Sequence, residues 1–128
     1  INTNTFVGLQ TIWAQLLCWS YSDGDNSMLM VIFEFTVKSG KSQSYFELVE
    51  SMRRQVENVD GFLGVERFQS CSDKNRFISV SKWRDEGAIR EWGGQKEHKK
   101  VQEIGKKEIF DSFSLREVEV LREKSFSL

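Results

Sequence analysis

Met30–Val37, with the sequence MVIFEFTV, is the stretch that decides the fold. It consists mainly of β-branched and aromatic residues, which favour strands over helices. The two-residue period of a strand places four apolar side chains on one face: Val31, Phe33, Phe35 and Val37. The sequence therefore predicts a strand that contributes a row of apolar side chains to the core.

Helical spacing follows this strand, and a pair of further strands follows the helix. Apolar residues recur every three or four positions at Leu48, Val49, Met52, Val56 and Val59. The helix begins either at Ser42 or at Ser44, where the pattern Ser44-x-x-Glu47 fits a capping box. The apolar stretches Phe62–Cys71 and Arg76–Trp83 then predict two strands joined by a hairpin.

The remaining residues predict two helical segments and a last strand. Asp85 can cap a short helix that runs through Trp92 and ends at a glycine pair. A second helical segment covers residues 96–110, and a strand covers residues 112–123. The order β-α-β-β-α-β is that of a ferredoxin-like α+β domain, in which both helices cover one face of a four-stranded antiparallel sheet.

The other face of such a sheet has no helix to cover it. Glu34 is expected to face either solvent or an interface, and Glu66 alternates with Arg67 on the second strand, where an interfacial ion pair is expected. Large apolar side chains on the same face are rarely left exposed to water. We therefore expect a homodimer in which two copies cover this face symmetrically.

Residues 1–27 differ in composition from the rest of the chain. They contain no Lys or Arg, which a secretory signal requires, and the apolar stretch within them is too short to span a membrane. Met28 and Met30 follow directly, just before the first strand. We interpret residues 1–27 as a leader outside the domain, either upstream of the natural start or disordered, and residues 28–128 as the domain. An amphipathic N-terminal appendage is the alternative, and we expect a cytoplasmic protein.

Charge and motif content exclude several classes of function. All 18 basic residues lie at or after Lys38, and all but two of the 19 acidic residues lie after Met28, so no basic surface for nucleic acid is expected. Cys18, Cys71 and His98 are too few and too widely spaced for a zinc site. The sequence lacks a G-x-S-x-G, P-loop, G-x-G-x-x-G or H-E-x-x-H motif, so hydrolase, nucleotide-dependent and zinc-peptidase activities have no support.

From Met30 onward the sequence resembles the antibiotic biosynthesis monooxygenase (ABM) domain family. The resemblance is carried by Val31–Phe35, Val59–Phe62, Glu66–Ser70, Ser81–Asp85, Ala88–Trp92, Glu97–Gln102 and Ile109–Phe113. It is strongest to the branch related to haem-degrading monooxygenases. It implies a dimeric α+β barrel with a pocket between sheet and helices in each subunit, and oxygenation by O2 without a flavin or a resident metal.

The resemblance also suggests catalytic residues. Haem-degrading members use an Asn on the first strand, a Trp on the helix after the third strand and a His on the next helical segment. Trp92 stands at the Trp position and His98 matches the His, whereas the Asn position holds Phe33 or Glu34. The resemblance thus implies that His98 and Trp92 are catalytic. His98 would bind the iron if the substrate is haem, or exchange a proton with a phenol.

Both residues also have a purely structural interpretation, as members of a satisfied core. The same choice applies to five strand aromatics that either line the pocket or fill the core: Phe33, Phe35, Phe68, Trp83 and Phe113. The sequence therefore leaves three functions open. The first is a monooxygenase that needs no cofactor and acts on a flat aromatic ligand, either haem or a polycyclic phenol. The second is a non-catalytic dimeric ligand-binding or stress-related module, and the third is a structural dimer without a cavity.

Overall fold

The fold is described by a computed structural model for residues 28–128. Its elements are β1 (Leu29–Val37), α1 (Ser42–Glu57), β2 (Phe62–Gln69), β3 (Arg76–Trp83), α2 (Glu86–Gly94), α3 (Lys96–Ile104), a π-helical turn (Gly105–Ile109) and β4 (Phe110–Glu119). The strands form an antiparallel sheet in the order β2-β3-β1-β4. This is the predicted ferredoxin-like α+β arrangement, and Met28–Glu119 forms one compact unit. The leader assigned to residues 1–27 lies outside the described residues.

Pairing with a neighbour sets the ends of two strands that the sequence placed too far along the chain. β4 was expected to reach Glu123 but ends at Glu119, which is the partner of Leu29, the first residue of β1. β2 was expected to reach Cys71 but ends at Gln69, opposite Phe77. Beyond Gln69 the Ser70 backbone N–H still donates to the backbone oxygen of Arg76, the first residue of β3, at 2.9 Å, and the hairpin turn follows.

Of the two side-chain caps predicted for helix N-termini, one is confirmed and one is wrong. Asp85 caps α2, since its Oδ1 accepts a hydrogen bond from the Ala88 backbone N–H at 2.8 Å. By contrast, α1 begins at Ser42 behind Lys41, and Lys41 makes no side-chain capping bond. Of the two predicted starts, Ser42 is confirmed, and the capping box at Ser44 was wrong because that residue lies inside the first turn.

The second helical segment ends in a π-helical turn. A Cβ on Gly105 would lie 2.7 Å from Cε2 of Phe110, so only glycine leaves room for that ring against the helix. The turn brings Ile109 into the core and starts β4 at Phe110, two residues before the predicted position.

The core consists of two clusters between the sheet and the helices. The first cluster contains Phe35, Val37, Tyr45, Phe77 and Ile109. The second cluster contains Val59, Trp83 and Ala88, with Trp92 packed against it. Phe77 and Trp83 stand on the same face of β3 at opposite ends of the strand, so each cluster covers one end of the sheet.

The opposite side of the sheet, the helix-free face, carries Met30, Ile32, Glu34, Phe68, Ile78, Val80 and Arg116. Glu34 lies between Arg76 and Arg116, each 3.4 Å from one of its carboxylate oxygens. Glu66 also belongs to this face, whereas Arg67 points to the helix side because successive strand residues alternate. Glu66 is therefore the one of the two residues that faces the helix-free side, as expected, and its use in an interfacial ion pair stays a prediction.

Candidate functional site

A cavity of about 1030 Å³ separates the sheet from the helices. The sheet contributes Val31, Phe33, Val65, Arg67, Ser79, Ser81 and Leu115 to its lining. The helices contribute Tyr45, Leu48, Met52, Val56, Ile89, Trp92, His98 and Val101. The lining is thus mainly apolar, with a few polar groups at defined positions, as is usual for a small-molecule site.

The cavity lies where the middle of β3 carries small side chains. On the helix side of this strand the residues run Phe77, Ser79, Ser81 and Trp83, so two serines stand between two large aromatic residues. The large residues belong to the two core clusters, and the serines leave the space between them open. Ser81 also accepts a hydrogen bond from Nε1 of Trp83 at 2.9 Å, which satisfies the buried indole.

Three of the five predicted strand aromatics line this cavity: Phe33, Trp83 and Phe113. The other two do not. Phe35 is 2% exposed and packs inside the first core cluster, with its ring centroid 4.6 Å from that of Tyr45. Phe68 is 47% exposed on the helix-free face, because it is one residue out of phase with the cavity residues of β2.

Trp92 and His98 come together in the cavity wall. Gln95 lies between α2 and α3 in an extended conformation, with φ −67° and ψ 135°, so the chain changes direction between the two residues. Their ring centroids are 4.4 Å apart with an interplanar angle of 40°. Both side chains are half-buried, and Trp92 also packs against the second core cluster.

The contacts of His98 define its protonation. Nε2 lies 2.9 Å from the side-chain nitrogen of Gln102. Where the side-chain nitrogen of Gln102 donates to Nε2, Nε2 accepts and the ring proton lies on Nδ1. Nδ1 is buried and has no hydrogen-bond partner among the described residues. Burial lowers the pKa of His98 below its ordinary value of 6.5, so the ring is neutral near pH 7.

The Nδ1–H group of His98 is therefore a buried hydrogen-bond donor without an acceptor among the described residues. An unsatisfied buried N–H is rare in folded proteins, and each instance requires an explanation. At the wall of a cavity the simplest one is a ligand oxygen that takes the hydrogen bond. Such a donor stabilises an oxygen most when that oxygen carries negative charge.

A second polar pair lies in the same cavity. Nε of Arg67 donates to the Tyr45 hydroxyl at 3.3 Å. Burial is the main cause that raises the pKa of Tyr45, and the nearby Arg67 partly opposes it. Tyr45 is therefore a neutral phenol that accepts from a guanidinium.

Residues 28–104 match the family described as antibiotic biosynthesis monooxygenase. The chain belongs to this family. It is 34% identical over 96 residues to the uncharacterized protein YqjZ of Bacillus subtilis, with 75% of this chain and 82% of that protein aligned. The family predicted from the sequence is thus confirmed.

Two other proteins are similar to this ABM domain, one in sequence and one in fold. It is 32% identical over 89 residues to the jasmonate monooxygenase ABM of Pyricularia oryzae, with 70% of this chain aligned. The alignment spans only 41% of that relative's own length. The fold is similar to that of a mutant of SnoaB, a cofactor-independent oxygenase from Streptomyces nogalater, with a TM-score of 0.63 and 12% identity over 71% of this chain and 90% of SnoaB.

The ABM cavity also contains residues that the sequence analysis did not assign to it. Ser79, Ser81, Tyr45 and Gln102 were not considered, and Arg67 was considered only as one of two residues that could face an interface. A recognisable signal was present in β3, where two small polar residues stand between two aromatic residues at the two-residue period of a strand. The position of Tyr45 depends on how α1 packs, which no local pattern indicates.

In this arrangement neither nitrogen of His98 offers a free lone pair, because that of Nε2 accepts from Gln102 and Nδ1 carries the proton. Between residues 28 and 128, no cluster of three or more His, Cys, Asp and Glu side chains could bind a metal ion. None of the helices in this part of the chain is long and apolar enough to cross a membrane.

Proposed function

We propose that this ABM protein is a homodimeric monooxygenase that oxidises a flat aromatic substrate, a polycyclic phenol, with O2 in the cavity of each subunit. One observation carries the proposal: the neutral His98 keeps an unpartnered, buried Nδ1–H in the cavity wall beside Trp92. A purely structural dimer has no use for such a donor. The family and the names of its oxygenase relatives support the reaction class.

The cavity residues perform three tasks in this scheme. Trp92 and the apolar lining bind the rings of the substrate by stacking and burial. The Nδ1–H of His98 donates to the phenol oxygen and stabilises the negative charge that develops on it. The dry walls keep water away from the electron-rich ring while it reacts with O2.

The stoichiometry requires no external reductant. One phenol and one O2 give one quinone and one water. One oxygen atom replaces the hydrogen on the ring carbon opposite the hydroxyl and becomes the second carbonyl. The other oxygen atom leaves as water with the ring hydrogen and the phenolic proton, and the substrate supplies all the electrons.

A phenol fits this site better than haem. A haem substrate needs a free imidazole lone pair for its iron, whereas the lone pair of Nε2 accepts from Gln102 and Nδ1 carries the proton. A phenol requires only a hydrogen-bond donor, which this site offers. The helix-free face, with its apolar side chains around Glu34, supports the homodimer.

The test is aerobic incubation of the purified protein with naphthols and larger polycyclic phenols, followed by an oxygen electrode and mass spectrometry with isotopically labelled O2. We expect one labelled oxygen atom in the quinone. His98→Phe should abolish turnover, while Gln102→Ala, which removes the donor that favours the Nδ1–H tautomer, should lower it only in part. Turnover that survives His98→Phe would contradict the assigned role of the donor.

A titration with hemin tests the other candidate substrate. We expect no saturable Soret shift that depends on His98. A stoichiometric shift that is lost in His98→Phe, followed by decay of the band with ascorbate in air, would replace the phenol by haem.

A further inference from the structure

Arg67 occupies an unusual place for an arginine. It lies on the helix side of β2, opposite Ser79 of β3, and the next strand in the same row carries Phe33. Arg67 therefore lines a mostly apolar cavity although the residue itself is exposed. A hydrogen bond to the buried Tyr45 orients its guanidinium there.

The hydrogen-bond inventory of Arg67 is incomplete within the described residues. A guanidinium has five N–H donors, and only the one on Nε is used, by the Tyr45 hydroxyl. The other arginines that line the cavity are paired: Arg53 with Glu50 and Glu57, and Arg90 with Glu86. No carboxylate between residues 28 and 128 lies within ion-pair distance of Arg67, so its two terminal nitrogens remain available.

Tyr45 makes this free fork a defined site. It is buried in the first core cluster, and its hydroxyl fixes one edge of the guanidinium. Because the phenol oxygen accepts from Arg67, its own proton is free to donate. Two guanidinium nitrogens and one phenolic O–H can then converge on one acceptor group. A carboxylate matches this geometry, since it takes both terminal N–H groups of an arginine side by side.

We infer that the cavity binds an amphipathic aromatic acid, whose carboxylate is held by Arg67 and Tyr45 while its rings lie along the apolar lining. This names the substrate class of the proposed function and rests on it for the reaction, but not for the binding. Arg67 lies beside Ser79, and Trp92 packs against the cluster that contains Trp83. Ser79 and Trp83 are four residues apart on β3, which is about 13 Å. The acid group and the reacting ring therefore occupy different ends of the cavity.

Lys106 also lines the cavity and forms no ion pair within the described residues, but it lacks the features that define a carboxylate site. It presents a single flexible ammonium group from the π-helical turn and has no side chain that orients it. Lys106→Gln therefore removes a cavity charge without removing the fork, and Arg54→Gln, on an exposed position of α1, removes a charge outside the cavity.

Isothermal titration of a hydroxynaphthoate and of its methyl ester tests the inference. The wild type should bind the acid on the order of tenfold or more tightly than the ester, as expected for charge-assisted hydrogen bonds. Arg67→Gln should remove this preference without changing the affinity for the ester. Arg67→Lys should restore part of it, and Arg54→Gln and Lys106→Gln should keep it. Circular dichroism spectra establish that each variant is folded.

The outcomes separate binding from reaction. Equal affinity for acid and ester in the wild type, or equal losses for both in Arg67→Gln, would overturn the carboxylate site even if phenols are turned over. A preference for the acid that depends on Arg67 supports the site even if no O2 is consumed, in which case only the proposed reaction fails. Absence of binding by either probe would overturn the site.

Discussion

Replacing His98 by Phe should make the protein more stable while it abolishes function. The substitution keeps a flat ring against Trp92, whose centroid lies 4.4 Å from that of the imidazole. It removes a buried N–H that has no partner among the described residues. Folding therefore no longer has to strip water from that donor without replacing it.

The magnitude follows from the two hydrogen-bonding changes. An unsatisfied buried donor costs about 1–3 kcal/mol, which the variant regains. The bond between Nε2 and Gln102 is lost, but Gln102 is exposed and can hydrogen-bond to water, so its loss costs about 0.5–1 kcal/mol. The net expectation is a gain of about 1 kcal/mol in the free energy of unfolding. For a domain of this size that corresponds to a rise in Tm of roughly 4–8 °C.

Urea unfolding monitored by tryptophan fluorescence measures this difference. All samples need the same protein concentration, because self-association changes apparent stability. Gln102→Ala is the matched control, since it loses the exposed bond alone and should be slightly less stable than the wild type. If His98→Phe is less stable than wild type by about 1 kcal/mol or more, Nδ1 is satisfied in the folded protein, and the argument from an unpartnered donor is refuted.

Three other outcomes follow from the same structure. Burial lowers the pKa of His98 below 6.5, so the unfolded chain takes up the proton first as the pH falls. The urea midpoint should therefore decrease below about pH 6.5. This part of the decrease should be absent in His98→Phe. Asp85→Ala should lower the free energy of unfolding by about 1 kcal/mol because it leaves the Ala88 N–H uncapped, whereas Asp85→Asn should lower it less in the same urea experiment. Glu34→Gln leaves Arg76 and Arg116 without their shared carboxylate, and sedimentation should show a weaker homodimer; unchanged association would place the interface elsewhere.

The order of elements could be read from the sequence because each element has a strong local signal. The β1 stretch is rich in β-branched and aromatic residues, and β3 was predicted with its observed bounds, Arg76–Trp83. The cap at Asp85 could also be predicted, since it depends only on residues within one helical turn. The wrong strand ends at Glu123 and Cys71 have a different origin, because a strand stops where its neighbour stops, and a neighbour is not a local property.

The site was less predictable than the fold for a similar reason. Trp92 and His98 were identified through the family resemblance, and the structure places their rings in contact. Phe68 was misplaced because apolar character was used without the phase of β2, which puts Arg67 and not Phe68 on the cavity side. The alternation could have been applied to that strand, although the glycine bulge near its start, where the register shifts between Phe62 and Gly64, obscures the phase.

Packing and binding are divided along one strand by side-chain size. On β3 the inward-facing Phe77 and Trp83 belong to the two core clusters, so the helices pack against both ends of the sheet without contacts from its middle. Ser79 and Ser81 can then stay small without weakening either cluster, and the space above them is available for a ligand. Arg67 lies beside Ser79, and Trp92 packs against the cluster that contains Trp83. One end of the cavity therefore carries a cation and the other an aromatic ring. In the proposed binding mode, a polar anchor at one end and an aromatic wall at the other orient the amphipathic ligand in one direction, as the oxidation of one chosen carbon requires.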